Sequence, residues 1–474
     1  MPIPSTTRKP GTFVTLDATS ASQSGLAPID RNVALLGART GVVPVEVPYR
    51  VLTEGDADNL FGTGSELALM CRWALEAIRT QGKGPAIYAV PIADPGGGVK
   101  AIHRFAMTGP ATAAGDAVFR IAGRTFRAGV KSGDTATVVA NAMKAAVDAA
   151  LPTLPVTATV TGAGSDQLDL TAVQAGINGN DIKLEYLKQD AVAGVTSIVS
   201  APTAGAGVYD ITNALNSLVD RHYHAIAIAN HLAADVTDLA AHIDVVGAAG
   251  FKKWTTAYLA ERGSLSTATT LATGANRKET HVVTAEDFPN LPGEIAATLA
   301  ATIEGEEDVA LPFNDVELTL YVPPPASVYT DAEIETALAA GALPLAVNRQ
   351  GTATKIVRAV NTKTVQGVAP FYAIADTSIV RTFFATAIQV DARLSRDFAQ
   401  AKKNDRTKKR VRTAVLDVLK KLEELEWLQN VDEHAAEISV TSDPIVPSRL
   451  NVEIPASVIP PLNQLDVKLT LLLE

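Results

Sequence analysis

Four of the seven histidines in this 474-residue chain, His222, His224, His231 and His242, crowd into one short stretch. The first two form an H-x-H pair, and residues two apart on a strand share a face, so a metal site is geometrically open to them. No H-E-x-x-H accompanies the pair, and His231 and His242 fall in a loop and a helix, which favours satisfied or solvent-facing histidines at a strand edge. Asp94, Asn230 and Glu261 follow predicted strands, where α/β enzymes place ligand-binding and catalytic groups, but no convergent partner accompanies them. A nucleotide site would need a Gly-rich turn. The first strand is followed by Gly37-Ala38-Arg39-Thr40-Gly41, which is neither G-x-G-x-x-G nor G-x-x-x-x-G-K-[ST]. Phe61-Gly62-Thr63-Gly64-Ser65 lacks a lysine and reads as a helix start capped by Ser65. No G-x-S-x-G elbow occurs, and the single cysteine, Cys71, lies in an apolar helical run where a thiol is buried and inert.

The elements around these residues alternate between the two hydrophobic periods. Strands at 32–36 and 86–92 flank a helix over 64–81, which implies an α/β layer. From 99 to 204 the character changes to a hairpin with Gly123 near its turn, an Ala-rich helix over 134–150 and three further strands. Gly-rich hinges on both sides mark this stretch as an α+β module inserted into the α/β domain. The alternation resumes with a helix over 208–221, strands at 224–230, 255–260 and 281–284, and helices between and after them. Their uninterrupted apolar runs fit a largely parallel sheet covered on both faces. The Pro323-Pro324-Pro325 run marks a boundary, beyond which 353–360 and 371–376 read as strands and 377–400 as a long helix. A second long helix carries Val411, Val415, Val418, Leu422 and Leu425 on one face. The expected fold is a multidomain α/β protein with a largely parallel sheet core over 29–98 and 205–322. To this core are added the inserted α+β module over 99–204, a C-terminal α+β domain over 323–460, and extended strand arms over 1–28 and 461–474.

Composition narrows the functional classes. Charged residues make up 19% of the chain and apolar residues 47%, a charge deficit that suggests surface covered by partners. The net charge of −10 argues against general nucleic-acid binding. No apolar run is long enough to span a membrane, and no signal-peptide core follows the basic residues at the N-terminus, so a cytoplasm-like compartment is expected. One charge feature is concentrated: Lys402, Lys403, Arg406, Lys408, Lys409, Arg410 and Arg412. A solvated helix face and a docking surface for an acidic partner both account for it, and it contains no aromatic residues for base stacking.

Core-less extended ends suit β-augmentation, in which a strand from one subunit completes a neighbour's sheet. At the N-terminus the extended patch is Thr12 to Leu16, with Phe13 and Leu16 as its apolar members. At the C-terminus Leu465, Val467, Leu469, Leu471 and Leu473 alternate along one face, an aggregation hazard unless a defined partner receives them. The stretch from Arg449 to Ile459, followed by Leu462-Asn463-Gln464-Leu465-Asp466-Val467-Lys468-Leu469, resembles the C-terminus of contractile-tail sheath proteins of Mu-like bacteriophages, also used by related tail-like bacteriocins. The resemblance extends to Ala373-Ile374-Ala375-Asp376-Thr377-Ser378-Ile379-Val380-Arg381-Thr382, to Asn32–Gly37, to Leu60–Ala68, to Ile87–Asp94 and to the inserted module with its Leu170-Thr171-Ala172 strand, and so covers nearly the whole chain.

That resemblance implies a structural subunit, not an enzyme, with no cofactor. Its partners would be copies of itself in stacked hexameric rings, an inner tail tube protein, and baseplate and tail terminator proteins, with neither nucleic acid nor membrane insertion. It would be assembled in the host bacterial cytoplasm and reside in the virion tail. Shortening of the sheath would drive the tube through a bacterial envelope. The arms would link neighbours, and the basic residues from Lys402 to Arg412 are a candidate tube-facing patch, although they match no family pattern. The rival reading is an α/β enzyme binding a small ligand near Asp94, Asn230 and Glu261.

Overall fold

The computed structural model describes residues 26–150, 153–188 and 192–468. Contacts divide the chain into two compact units, Asp30–Val380 with Pro461–Glu474, and Met1–Ile29 with Arg381–Pro460.

In the first unit β1 (Asn32–Ala38), β2 (Tyr49–Val51), α1 (Glu54–Phe61), α2 (Glu66–Gln81) and β3 (Ala86–Ile92) open the α/β core. Ser65 caps α2, its hydroxyl accepting the Ala68 N–H at 3.2 Å, and Gly82 closes the helix with a left-handed φ of 72°. An α+β segment follows: β4 (Ile102–Thr108), β5 (Gly115–Ile121), β6 (Arg124–Val130), α3 (Ala136–Asp148), β7 (Val156–Thr161), β8 (Gln167–Ala172), β9 (Leu184–Tyr186) and β10 (Thr196–Thr203). These strands form two sheets of their own, β10-β4-β8-β7 and β6-β5-β9, around a cluster that includes Phe105, Phe119, Met143 and Leu170.

The core then continues through α4 (Thr212–Asn216), β11 (Ala225–Ile228), α5 (Ala233–Gly247), β12 (Thr256–Glu261), α6 (Leu265–Ala275), β13 (Thr280–Thr284), α7 (Pro292–Gly305), β14 (Glu317–Leu318), α8 (Asp331–Ala339), β15 (Ala342–Val347) and β16 (Thr354–Ile356). The nine-stranded sheet runs β14-β16-β15-β13-β12-β11-β1-β3-β2. Its middle, from β3 to β15, is parallel, while β2, β16 and β14 pair antiparallel at the edges. Both faces are covered, which is why the central strands are apolar throughout. Leu67, Met70, Ile295 and Leu299 of α2 and α7 pack one face, and Leu215, Leu239, Ile243 and Ala272 of α4, α5 and α6 pack the other. Every residue of α7 is buried, an arrangement its many alanines permit.

A small hairpin, β17 (Val365–Gln366) with β18 (Ala369–Pro370), precedes α9 (Thr377–Phe398), which runs into the second unit. There α10 (Asp405–Glu424) is capped by Asn404, whose side-chain oxygen accepts the Thr407 N–H at 2.8 Å. The remaining elements are β19 (Leu428–Gln429), α11 (Val431–His434), β20 (Ser439–Ser442), β21 (Leu450–Glu453) and β22 (Ser457–Val458). They form two two-stranded antiparallel sheets, β19-β22 and β20-β21. Among the described residues no helix is long and apolar enough to cross a membrane.

Several local expectations differ from the structure. The helix expected over 208–221 shrinks to α4, because Tyr209 is buried and its hydroxyl donates to the Ala175 carbonyl. The strand expected over 371–376 is absent: Pro370 and Gly367 turn the chain just before it, and only Asp376 makes a bridge, to Val360. The strand over 353–360 shortens to β16. The triproline run does not end the core sheet, since β15 and β16 join it from beyond Pro325, and the division between units falls at Arg381.

Candidate functional site

The strand order reverses between β1 and β11, and in open α/β sheets ligands bind in the crevice beyond the carboxyl ends of such strands. Here that crevice is filled from within. Glu66 opens α2, and its carboxylate accepts the Ala38 N–H at 3.0 Å and the Asn178 Nδ2 at 2.8 Å. Asn178 Nδ2 also reaches Asn230 Oδ1 at 3.2 Å, and Asn230 Nδ2 donates to Asp235 Oδ1 at 3.1 Å. Gln174 Oε1 accepts the Glu66 N–H at 3.1 Å. Asn178 and Gln174 belong to the 99–204 segment, so its polar side chains occupy the place a ligand would take. Burial pushes the Glu66 and Asp235 carboxyls above their ordinary range, and the donors named above hold both in place.

The three residues of the enzyme reading are engaged separately. Asp94 accepts the Ala175 N–H at 3.3 Å, Asn230 belongs to the network just described, and Glu261 Oε1 accepts the Gly263 N–H at 2.6 Å. An open groove of about 720 Å³ between α5 and α6 has His231 and Glu261 in its lining, which contains no other titratable side chain. The histidines do not converge either. His222 and His224 stack with ring centroids 4.1 Å apart, the His222 Nε2 lies 2.9 Å from the Trp254 carbonyl oxygen, and His224 Nδ1 lies 3.3 Å from the Asn32 N–H. His242 is buried in α5, which pushes its pKa down to about 4. Among the described residues no three His, Cys, Asp or Glu side chains gather as metal ligands would. Cys71 is fully buried, and burial pushes its thiol pKa far up.

The basic segment occupies the loop before α10 and its first two turns. Its members divide in role. Lys403 Nζ donates to the Pro447 carbonyl at 2.6 Å, and Lys408 pairs with Asp405 at 3.0 Å. Arg412 donates to the Ala435 and Ile438 carbonyls at 2.7 and 3.1 Å, and Arg410 lies over the Phe398 ring at 5.5 Å. Lys402, Arg406 and Lys409 remain exposed. On the opposite face of α10, Val411, Val415, Val418 and Leu422 are buried as the spacing predicts; Leu425 is exposed because the helix has ended.

At the ends of the chain, Phe13, Leu16, Leu469, Leu471 and Leu473 lie outside the described residues. Ala27 is held in the second unit by the Gln389 side chain, which accepts its N–H at 2.7 Å and donates to its carbonyl at 2.8 Å. Residues 461–468 pair with no strand, and Leu465 and Val467 are 77% and 73% exposed. Asn463, by contrast, is hydrogen-bonded. Its oxygen accepts Asn314 Nδ2 at 2.8 Å, and its Nδ2 faces Asp376, whose carboxylate also pairs with Arg358.

Residues 372–471 match the family described as phage tail sheath C-terminal domain. The Mu-like prophage FluMu tail sheath protein of Haemophilus influenzae is 28% identical over 360 residues, which cover 73% of this chain and 71% of that protein. The C-terminal part of the chain thus matches the phage tail sheath family, and most of its length is similar to a phage tail sheath protein. Solved sheath tail proteins have a similar fold. The one from Desulfitobacterium hafniense superposes with a TM-score of 0.53 at 13% identity, over 94% of this chain and 96% of the other. The one from Listeria innocua gives 0.51 at 11% identity, over 89% and 90%. These similarities support the structural tail sheath role that the resemblance implied. The Asn178–Gln174 plug is not legible in the sequence, because its partners lie 52 to 112 residues away, nor is the Asn463 contact, for which the alternation beginning two residues later was an available signal.

Proposed function

We propose that this chain polymerises around an inner tail tube as stacked hexameric rings, and that shortening of the polymer drives the tube through a bacterial envelope. The observation that carries this reading is the exposed apolar arm. Leu465 and Val467 project into solvent on alternate residues, inside the region matched to the sheath family. A subunit that leaves such a stripe uncovered gains by donating it to a copy of itself. The second unit supports the same reading, since among the described residues its β19-β22 and β20-β21 sheets have two strands each and open edges. Such pairs are marginal alone, and an added strand stabilises them.

The arms over 1–28 and 461–474 are the proposed links, with Phe13, Leu16, Leu465, Val467, Leu469, Leu471 and Leu473 as contact residues. Contraction without a nucleotide needs only a metastable extended polymer and a contracted one that buries more interface. The proposed site of work is the virion tail, after assembly in the host cytoplasm, with baseplate and terminator proteins at its two ends.

Removing residues 464–474 tests strand donation. The truncated protein is expected to melt like the full chain and to form no tubes; tubes of normal length would overturn the reading. Lys402, Arg406 and Lys409, exposed at the start of α10, are the proposed tube-facing members of the basic segment, and an acidic tube surface is the partner they fit. Changing all three to Glu is expected to abolish co-sedimentation with tube protein, and unchanged co-sedimentation would remove the tube assignment.

A further inference from the structure

We infer that Asn463 is the pin of the C-terminal arm: held by Asn314 and by the Arg358–Asp376 ion pair, it fixes where the arm leaves the subunit and which face carries the apolar side chains. The inference rests on the strand-donation reading and names the residue that would control it.

The pin is set in a rigid place. Asp376 is 7% exposed, and Arg358 takes both its oxygens, Nε to Oδ1 and Nη2 to Oδ2, each at 2.8 Å. Such a planar bidentate pair allows the carboxylate little rotation. Its backbone is held as well, by the bridge to Val360 and by the Asn361 N–H donating to the Ala375 carbonyl at 2.8 Å. Asn463 Nδ2 lies 3.4 and 3.3 Å from the two Asp376 oxygens, and Asn463 Oδ1 accepts Asn314 Nδ2 at 2.8 Å. Among the described arm residues, 461–468, it alone has a hydrogen-bonded side chain, while its neighbours Leu462 and Leu465 are 74% and 77% exposed. The described start of the N-terminal arm shows a similar device, the Ala27 backbone held at both its N–H and its carbonyl by the Gln389 carboxamide.

Position along the chain gives the pin its consequence. Side chains of an extended strand alternate with a period of two, and Asn463 has the same parity as Leu465, Val467, Leu469, Leu471 and Leu473. In an extended arm the pinned side chain and the apolar stripe therefore share a face. Fixing Asn463 fixes the direction of the stripe, and a slip of one residue turns every one of those side chains to the opposite face. A loosely tethered arm would carry no such constraint, because slack before Leu465 would absorb a slip.

Insertions separate these cases. In the full-length protein one Ala is inserted between Gln464 and Leu465, and in a second variant two. Tube yield is read by pelleting and negative-stain microscopy, with thermal melting as the check on folding. The single insertion is expected to lower tube yield about tenfold or more, and the double insertion, which restores phase, to recover most of it. Asn463→Ala is expected to lower the yield by itself and to make the single insertion harmless in its background, since no pinned phase remains to be broken. Equal effects of one and two inserted residues, or an unaltered penalty of the single insertion in Asn463→Ala, would overturn the pin while leaving the sheath reading intact. Absence of tubes from the unmodified chain would overturn strand donation, and the pin with it.

Discussion

At the scale of single residues, the buried titratable groups set the conditions under which the subunit stays folded. His281 is fully buried on β13, stacked on Tyr258 with ring centroids 4.5 Å apart. In a neutral ring Nδ1–H can donate to the Ala257 carbonyl at 3.3 Å, while Nε2 lies 3.0 Å from the Thr377 hydroxyl, whose one proton is shared between that nitrogen and the Ala359 carbonyl at 3.1 Å. Burial pushes its pKa down to about 4. The folded state then resists protonation that the unfolded chain accepts near pH 6.5, so stability is complete above that pH and lost as pH falls toward 4, by roughly 3 kcal/mol. Glu294 on α7 acts in the opposite sense. Burial pushes it up to about 7, against the Asn290 amide at 2.9 Å and the Leu291 N–H at 3.1 Å. Its cost is absent below about pH 4.5 and grows as pH rises to 7. Glu294→Gln keeps an acceptor for both donors and is expected to stabilise the protein at pH 8 by about 1–3 kcal/mol, with little change at pH 5. His281→Gln is expected to flatten the acid side of the stability profile. Urea unfolding across pH 4–8 measures both.

At the scale of elements, the sequence was informative where period and punctuation agree. The β5–β6 hairpin was legible because Gly123 interrupts two apolar-patterned strands; Ala122 and Gly123, with φ of 46° and 79°, form its two-residue turn in the type I′ pattern. A side chain at position 123 would also meet Tyr321 and Pro289, so the turn abuts the core. Gly123→Ala is therefore expected to cost about 1–3 kcal/mol by thermal or urea unfolding, whereas Gly129→Ala on β6, with open space around it, should change little. The long helix α2 was legible from its apolar run and its Ser65 cap, and α10 from its apolar stripe. The strand expected over 371–376 was not, because Asp376 serves Arg358 and Asn463, a use decided by residues distant in the chain. The basic segment illustrates the same limit: its charge run is plain in the sequence, but the commitment of Lys403 and Arg412 to backbone carbonyls depends on the 435–447 chain folding beside α10.

At the scale of the whole molecule, the deficit of charge and the excess of apolar residues are only partly used by the subunit's own cores. The three clusters account for the central strands and the helices packed on them. Leu462, Leu465 and Val467 remain outside any of them. The crevice where an α/β enzyme would hold its ligand is closed by Asn178 and Gln174, and under the proposed reading the α/β layer is scaffold for surfaces that would meet other subunits. Self-association through those surfaces is the central claim, and negative-stain electron microscopy of the purified full-length protein over a rising concentration series tests it most directly. Tubular polymers of uniform diameter are the expected result. A monodisperse monomer at every concentration, with saturable binding of a small ligand, would contradict the claim and favour the enzyme reading.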